Sequence, residues 1–326
     1  MRADPYVVVV GGMNLDIQGK SLSPFRAGDS NPGGSSLCAG GVGRNIAENL
    51  ARLGARVELV SVVGDDGLAP LLLDSCSSLG IGLEGLLRLE REASPRYICL
   101  LDSDGSLVGA VASMEAMDRL TPERLEERSS LLDGAALIIA DANLSEASIR
   151  WLAERYPKGR GGPLLGFDPV SAAKAPRGSG SLGAFAFAKP NQAEAAILAG
   201  HEPGPLSPAE LSRALRARGL GEAFVSLGPE GIWAEGPGPS GRGESWKAWR
   251  RSAQDGWAAV NSSGAGDAAC AAIAWGILQG RGLGERCVLA LAAALLASAS
   301  ESPVNPALCP SLLDEAAKGI ECERIS

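Results

Sequence analysis

The chain has 326 residues, of which 45 % are hydrophobic and only 4 % aromatic, with 43 glycines. That is enough apolar material for a large core of helices packed closely on a sheet, and it argues against an aromatic-rich β-sandwich. The net charge of −8 argues against nucleic acid as a partner and leaves open a small anion held by backbone N–H groups.

Seven cysteines, at 38, 76, 99, 270, 287, 309 and 322, form no CxxC pair. They predict reduced thiols in a cytoplasmic protein rather than a disulfide framework or a zinc site. The sole histidine, His201, precedes Glu202-Pro203 and reads as a solvated loop residue. The N-terminus has no basic region followed by an apolar core. The longest apolar run, near 288–299, falls short of the ~20 residues that span a membrane. It reads as a buried helix, and no membrane partner is expected.

In chain order, Tyr6–Val10 is a β-branched run ending at Gly11-Gly12 and reads as a buried parallel strand, which residues 14–17 extend at its C-terminal side. Residues 18–40 are rich in Gly, Ser and Pro and read as short exposed strands, with DSNPGG at 29–34 as a turn. In GGVGRNIAENLARLG, residues 40–54, Val42, Ile46, Leu50 and Leu53 recur at helical spacing and Gly54 stops the helix. A strand at 57–63 and a helix at 68–79 follow. Residues 97–101 and 107–111 flank DSDG as a hairpin. Pro122 opens another helix. Strands at 136–140, 164–167, 184–188 and 224–227 then alternate with helices at 145–156, from 191 onward and at 207–218. GPGPSGRG, 236–243, reads as a loop tip between hairpin strands, with Trp246, Lys247, Trp249, Arg250 and Arg251 on an exposed hairpin edge.

This alternation predicts a mostly parallel α/β sheet covered on both faces. The polar segments at about 17–38 and 95–114 break the rhythm and are expected to form a small β lid near the strand ends. Ligands of open α/β sheets bind beyond the C-terminal strand ends. That singles out Asn14, Asp16, Asn143, Asp168, Asn191 and the Gly-rich turns.

Four motifs carry chemistry, each with a plainer reading beside it. In NSSGAGDAAC, Gly264-Ala265-Gly266 precedes Asp267 at a helix start. The turn offers unpaired N–H groups to an anion, and Asp267 is either a helix cap or a base beside that anion hole. GGVGRN, 40–45, lacks the Lys-Ser/Thr of a Walker motif and follows a polar loop rather than a strand. It suits a polyhydroxylated ligand lying against the backbone with Asn45 one turn in, or a helix-start packing motif. In KPNQAE, Asn191 and Glu194 face one side and serve either as a cap or as holders of the water around Mg²⁺. SLGPEG, 226–231, is a strand ending in a Gly turn.

Together these stretches resemble the signatures of the PfkB/ribokinase family of sugar and nucleoside kinases: GGVGRNIAENLARLG the N-terminal one, NSSGAGDAACAAIAWG the C-terminal one, Asn191–Glu194 the NxxE element and VSLGPEG the nucleotide-side turn. GGMNLDIQG, DSNPGG, GGVGRN and DPVSAAKA are similar to the pseudouridine kinases within that family. The resemblance covers essentially the whole chain. It implies a single ribokinase-like domain over 1–326, a three-layer sandwich with a β lid, transferring the γ-phosphoryl group of ATP to a ribose 5′-hydroxyl. Other nucleosides, ribose, and a non-catalytic sensor on the same fold are the alternatives.

The roles it implies are as follows. Asp267 is the general base, and Gly264, Ala265 and Gly266 form the anion hole. Asp16, Gly40, Gly41 and Asn45, with Asn14 beside them, grip the ribose hydroxyls. Ser30 and Asn31 read the nucleobase, and Asn143 and Asp168 close the pocket. Asn191 and Glu194 organise Mg²⁺ through water, and Ser226, Gly228 and Gly231, with Gly264 and Gly266, line the ATP side. Where family members often begin the C-terminal signature with Asp-Thr, this chain has Asn261-Ser262. Asn261 is therefore the expected K⁺ ligand, offering an amide oxygen without the charge. A homodimer paired through the lid is a further expectation.

Overall fold

The computed structural model describes residues 5–238, 243–251 and 263–325. Within them a nine-stranded sheet runs in the order Ile320–Arg324, Gly243–Arg250, Ile232–Pro237, Glu222–Ser226, Phe187–Ala188, Leu164–Asp168, Leu137–Asp141, Tyr6–Val10 and Arg56–Val60. The strands from Glu222–Ser226 to Arg56–Val60 pair in parallel, and the remaining three close one edge antiparallel. Because strand side chains alternate between faces, Val7 and Val9 enter a core shared with the helices Val42–Arg52, Ala265–Leu278 and Leu283–Ser298. Val8 and Val10 enter a second core, under Glu146–Arg155, Gln192–Ala199 and Pro208–Ala217. The result is the ribokinase-like layering of helices, sheet and helices.

The lid is a separate four-stranded sheet in the order Gly33–Gly40, Asn14–Ser21, Arg96–Leu101, Leu107–Ser113. Its first segment, 14–40, is longer at both ends than the expected 17–38, and its second, 96–113, lies within the expected 95–114. Residues 14–17 do not extend the first core strand. The chain bends at Gly11-Gly12-Met13, and Asn14–Ser21 pairs with Gly33–Gly40 and Arg96–Leu101. The bend needs its glycines: a Cβ on Gly11 would collide with the Asp141 carboxylate, and one on Gly12 would stand 2.5 Å from Asn143 Nδ2.

Other expectations are corrected in detail. The strand expected at 57–63 leaves the central sheet after Val60, and Val62–Val63 pairs instead with Leu87–Arg88. The strand expected at 184–188 is only Phe187–Ala188, because Leu182–Ala184 forms a short 3₁₀ turn that brings Phe185 flat against Phe167 with centroids 4.7 Å apart. Gly243–Arg250, carrying Trp246, Lys247, Trp249 and Arg250, is not an edge: Ile320–Arg324 pairs along its other side. His201 is exposed, and the seven cysteines are free thiols. Among the described residues no helix is long and apolar enough to cross a membrane.

Candidate active site

Two helix N-termini and the lid hinge converge on one point. The helix Ala265–Leu278 starts from Gly264, whose φ of 79° is left-handed and whose missing Cβ leaves room for the Pro303 carbonyl. Only glycine meets both demands at no steric cost. The first turn then carries Asp267, 8 % exposed. Opposite it, the helix Val42–Arg52 starts from Gly41, with a φ of 98°, where a Cβ would press on Gly12 O at 2.5 Å. Arg44 N donates to Gly12 O at 3.0 Å, which ties this helix to the lid hinge. Asn45 Nδ2 donates to Asp267 Oδ2 at 2.8 Å.

The lid strand brings a second acid. Asn14 Nδ2 donates to Asp16 Oδ1 at 2.7 Å, and Asp16 Oδ2 fills the space a side chain on Gly40 would need. Burial pushes the Asp16 carboxyl up, and the Asn14 bond and the Arg44 charge pull it back. Asn143 enters beside the hinge, its backbone N–H donating to Asp141 Oδ1 at 2.7 Å and its Oδ1 accepting from Lys174 Nζ at 2.6 Å. Asp168 Oδ1 accepts from Val170 N at 2.8 Å, while Oδ2 lies 3.7 Å from Lys189 Nζ. That buried Oδ2 has no hydrogen-bond partner.

Asp267 is the most perturbed of these acids by physical circumstance. Burial, and then repulsion from Asp168, push its carboxyl up to about 7, against the pull of Asn45 and Lys189. A carboxylate with that proton affinity is poised near neutrality, where a general base works best.

Asn191 and Glu194 form a reciprocal cap on the helix Gln192–Ala199. Glu194 N donates to Asn191 Oδ1, Asn191 N to Glu194 Oε2 and Asn191 Nδ2 to Glu194 Oε1, each at 2.9 Å. The capping reading therefore holds. It does not use up the site, because an ionised carboxylate accepts about four hydrogen bonds. Among the described residues no group of three or more His, Cys, Asp or Glu could ligate a metal directly. A carboxylate with lone pairs left over is the kind of group that binds a hydrated ion through its waters. Next to it, Ser226 N donates to Pro190 O at 2.9 Å, and Gly228 and Gly231 turn the chain with φ of 59° and 101°. Nothing stands within 4 Å of where a Gly228 side chain would be, so this turn is open.

Two expected residues are not gathered at this point. Asn31 spends its side chain within its own loop, accepting from Arg26 N at 2.8 Å and donating to Arg26 O and Asp29 O. It lines a cavity of about 360 Å³ with Gly19, Ser21, Ser35 and Leu100 at the far end of the lid, and Ser30 precedes it in that loop. Asn261, the expected K⁺ ligand, lies outside the described residues. Three buried residues were missed from the sequence: Arg44, Asp141 and Lys189. Asp141 and Lys189 both stand at strand ends, where polar residues signal function in this class of sheet. Asp141 also receives Gly12 N at 2.8 Å, pinning the hinge, and burial pushes its carboxyl up to about 6.

Comparison with known proteins gives this arrangement its class. Residues 4–308 match the pfkB family of carbohydrate kinases. The pseudouridine kinase of Escherichia coli is 30 % identical over 99 % of both chains. An uncharacterised sugar kinase of the same organism is 32 % identical over 93 % of this chain and 81 % of its own. Among solved structures, Arabidopsis thaliana ribokinase, complexed with ribose and ATP, superposes with a TM-score of 0.78 at 20 % identity, covering 96 % of this chain and 99 % of its own. The chain belongs to the pfkB family: it is an ATP-dependent phosphotransferase acting on a hydroxyl group of a nucleoside or sugar.

The Asp267 environment has a stability consequence. An unfolded Asp titrates at about 3.9. Between there and about 7 the folded protein keeps a proton that the unfolded chain has lost, so stability falls as pH rises through that window. Asp267→Asn removes this effect while an Asn side-chain oxygen can still accept from Asn45. At pH 8 the variant should melt at a higher temperature than the wild type, with the gap closing below pH 4. A variant that melts lower at pH 8 would show that burial does not strain this carboxylate.

Proposed function

We propose that the chain transfers the γ-phosphoryl group of ATP to the 5′-hydroxyl of pseudouridine, giving pseudouridine 5′-phosphate. The observation that carries the chemistry is the buried Asp267 carboxylate at a Gly-turn helix N-terminus, hydrogen-bonded to Asn45 across from the lid. The full-length similarity to a pseudouridine kinase supports the choice of nucleoside. Asp16 accepts from ribose hydroxyls, Asn14, Gly40, Gly41 and Asn45 complete the grip, and Asn143 and Asp168 close the pocket.

Asp267 takes the proton of the 5′-hydroxyl as its oxygen bonds to the γ-phosphorus and the bond to the departing ADP oxygen breaks. The N–H groups at Gly264, Ala265 and Gly266 face the charge on the transferring group. Ser226, Gly228 and Gly231 form the ATP side. Asn191 and Glu194 would hold Mg²⁺ through its waters, and the charge of the bound ion would offset that of the phosphates.

The outward lid face supports a homodimer. Ile17, Leu37, Ile98 and Val111 lie in one cross-strand row, on the face opposite Asp16. Leu37, Ile98 and Val111 are 40–64 % exposed. A contiguous apolar row on a sheet is a pairing surface.

Three measurements test this reading. ADP release with pseudouridine, uridine, cytidine, adenosine and ribose side by side should favour pseudouridine, and Asp267→Asn should lower kcat on the order of 10²–10⁴-fold. Preference for ribose would support the sugar-kinase reading, and near-normal turnover by the variant would remove Asp267 from the base role. Glu194→Gln should raise the Mg²⁺ concentration needed for half-maximal rate several-fold with the nucleoside KM unchanged; an unaltered Mg²⁺ dependence leaves Glu194 a cap alone. Light scattering should give twice the chain mass for the wild type and the single-chain mass for Ile98→Glu, and identical masses would contradict pairing through the lid.

A further inference from the structure

Lys189 follows the strand Phe187–Ala188 at the C-terminal end of the central sheet, with its own N–H fixed on Phe167 O at 3.2 Å. It is 5 % exposed. Burying a lone ammonium costs several kcal/mol unless opposite charges surround it. Here they do. Asp168 faces it from the neighbouring strand at 3.7 Å, Glu194 from the helix Gln192–Ala199 and Asp267 from the helix Ala265–Leu278, while the Cys270 thiol on that same helix is kept neutral by burial. Asp141 adds its charge to the Asp267 side. On its remaining side the ammonium lies against the anion turn: a methyl group on Gly266 would stand 3.0 Å from Nζ.

This constellation is unbalanced. Three carboxylates, Asp168, Glu194 and Asp267, surround one cation, and Asp168 Oδ2 is buried without a hydrogen bond. Repulsion from Asp168 favours the protonated form of Asp267, and attraction to Lys189 favours the ionised form. Lys189 and Asp168 therefore act on the base in opposite senses from one contact pair.

We propose that Lys189 is a positioning residue of the phosphoryl transfer: held behind the Gly264–Gly266 turn by Asp168, its ammonium supplies the counter-charge that keeps the Asp267 carboxylate ionised and ready to accept a proton. This rests on the reading of Asp267 as the base. The side chain does not touch the attacking oxygen; it acts through Asp267. A role in packing alone would lower activity equally at every pH, whereas a role through charge lowers it most where Asp267 is partly protonated.

The test measures the ionisation of Asp267 without needing turnover. In each background, the gap in melting temperature between the protein and its Asp267→Asn version is followed against pH, and the pH at which the gap stops widening reports the carboxylate. Asp168→Asn should move that point down by about one unit, and Lys189→Met should move it up by about one unit. The double variant Lys189→Met/Asp168→Asn, which removes the ammonium together with its ion-pair partner, should lie about one unit above Asp168→Asn. That comparison stands even where Lys189→Met alone does not fold. In kinetics, Lys189→Met should lower kcat/KM about ten-fold more at pH 6.5 than at pH 9. A double variant that titrates with Asp168→Asn, or a kinetic deficit equal at both pH values, overturns the proposal. Absence of turnover with every acceptor would instead count against the kinase reading, while the titration still decides the role of Lys189.

Discussion

The hydrogen bond from Asn45 Nδ2 to Asp267 Oδ2 joins residues 222 positions apart in the chain. It clasps together the starts of two helices that pack along their length, one leading from the lid hinge and one from the anion turn. Each helix can begin where it does only because a glycine with positive φ, Gly41 or Gly264, sits where a side chain would strike backbone. The two glycines thus set the distance between the helix start that carries Asn45 and the one that carries Asp267. Asp141 completes the frame by holding Gly12, so the bend into the lid is fixed from the core side.

The frame is costly in electrostatic terms. Asp141, Asp168, Glu194 and Asp267 lie buried close to one another, with Lys189 among them. Burial and mutual repulsion raise the proton affinity of several of these acids above the ordinary range. The two apolar cores on either face of the sheet must offset that cost, a common trade of stability for activity. The gain is a carboxylate, Asp267, whose proton affinity lies near neutrality.

Much of this was legible in the sequence because the relevant signals are local. Gly-rich turns before apolar helices mark anion-accepting N-termini, and the alternation of strands and helices implies the parallel sheet. The central layers and the lid segments follow from those signals, whereas the grouping of Asp16, Asn45 and Asp267 was implied only by the resemblance to the kinase family. What escaped depends on contacts between distant segments. The bend at Gly11-Gly12 is dictated by Asp141 and Asn143, more than a hundred residues away, so 14–17 read as a continuation of the first strand. The strand Ile320–Arg324 is short and has only Ile320 and Cys322 as apolar residues between Glu321, Glu323 and Arg324, which left Gly243–Arg250 looking like an edge. Lys189 lay inside a quoted motif, yet a lysine before Pro-Asn gives no local hint that it will be buried among carboxylates. Asn191 and Glu194 were ambiguous for a different reason: the same pair caps its helix and leaves lone pairs free, so geometry supports both readings at once.

The central claim is that the base and the sugar grip act on one and the same ribose. A crystal structure with pseudouridine and a non-hydrolysable ATP analogue tests it directly. The account predicts the 5′-oxygen within hydrogen-bonding distance of the Asp267 carboxylate, the 2′- and 3′-hydroxyls on Asp16, and the γ-phosphate at the Gly264–Gly266 turn. A nucleoside bound with its base against Asp267, or with its ribose away from Asp16, would contradict it.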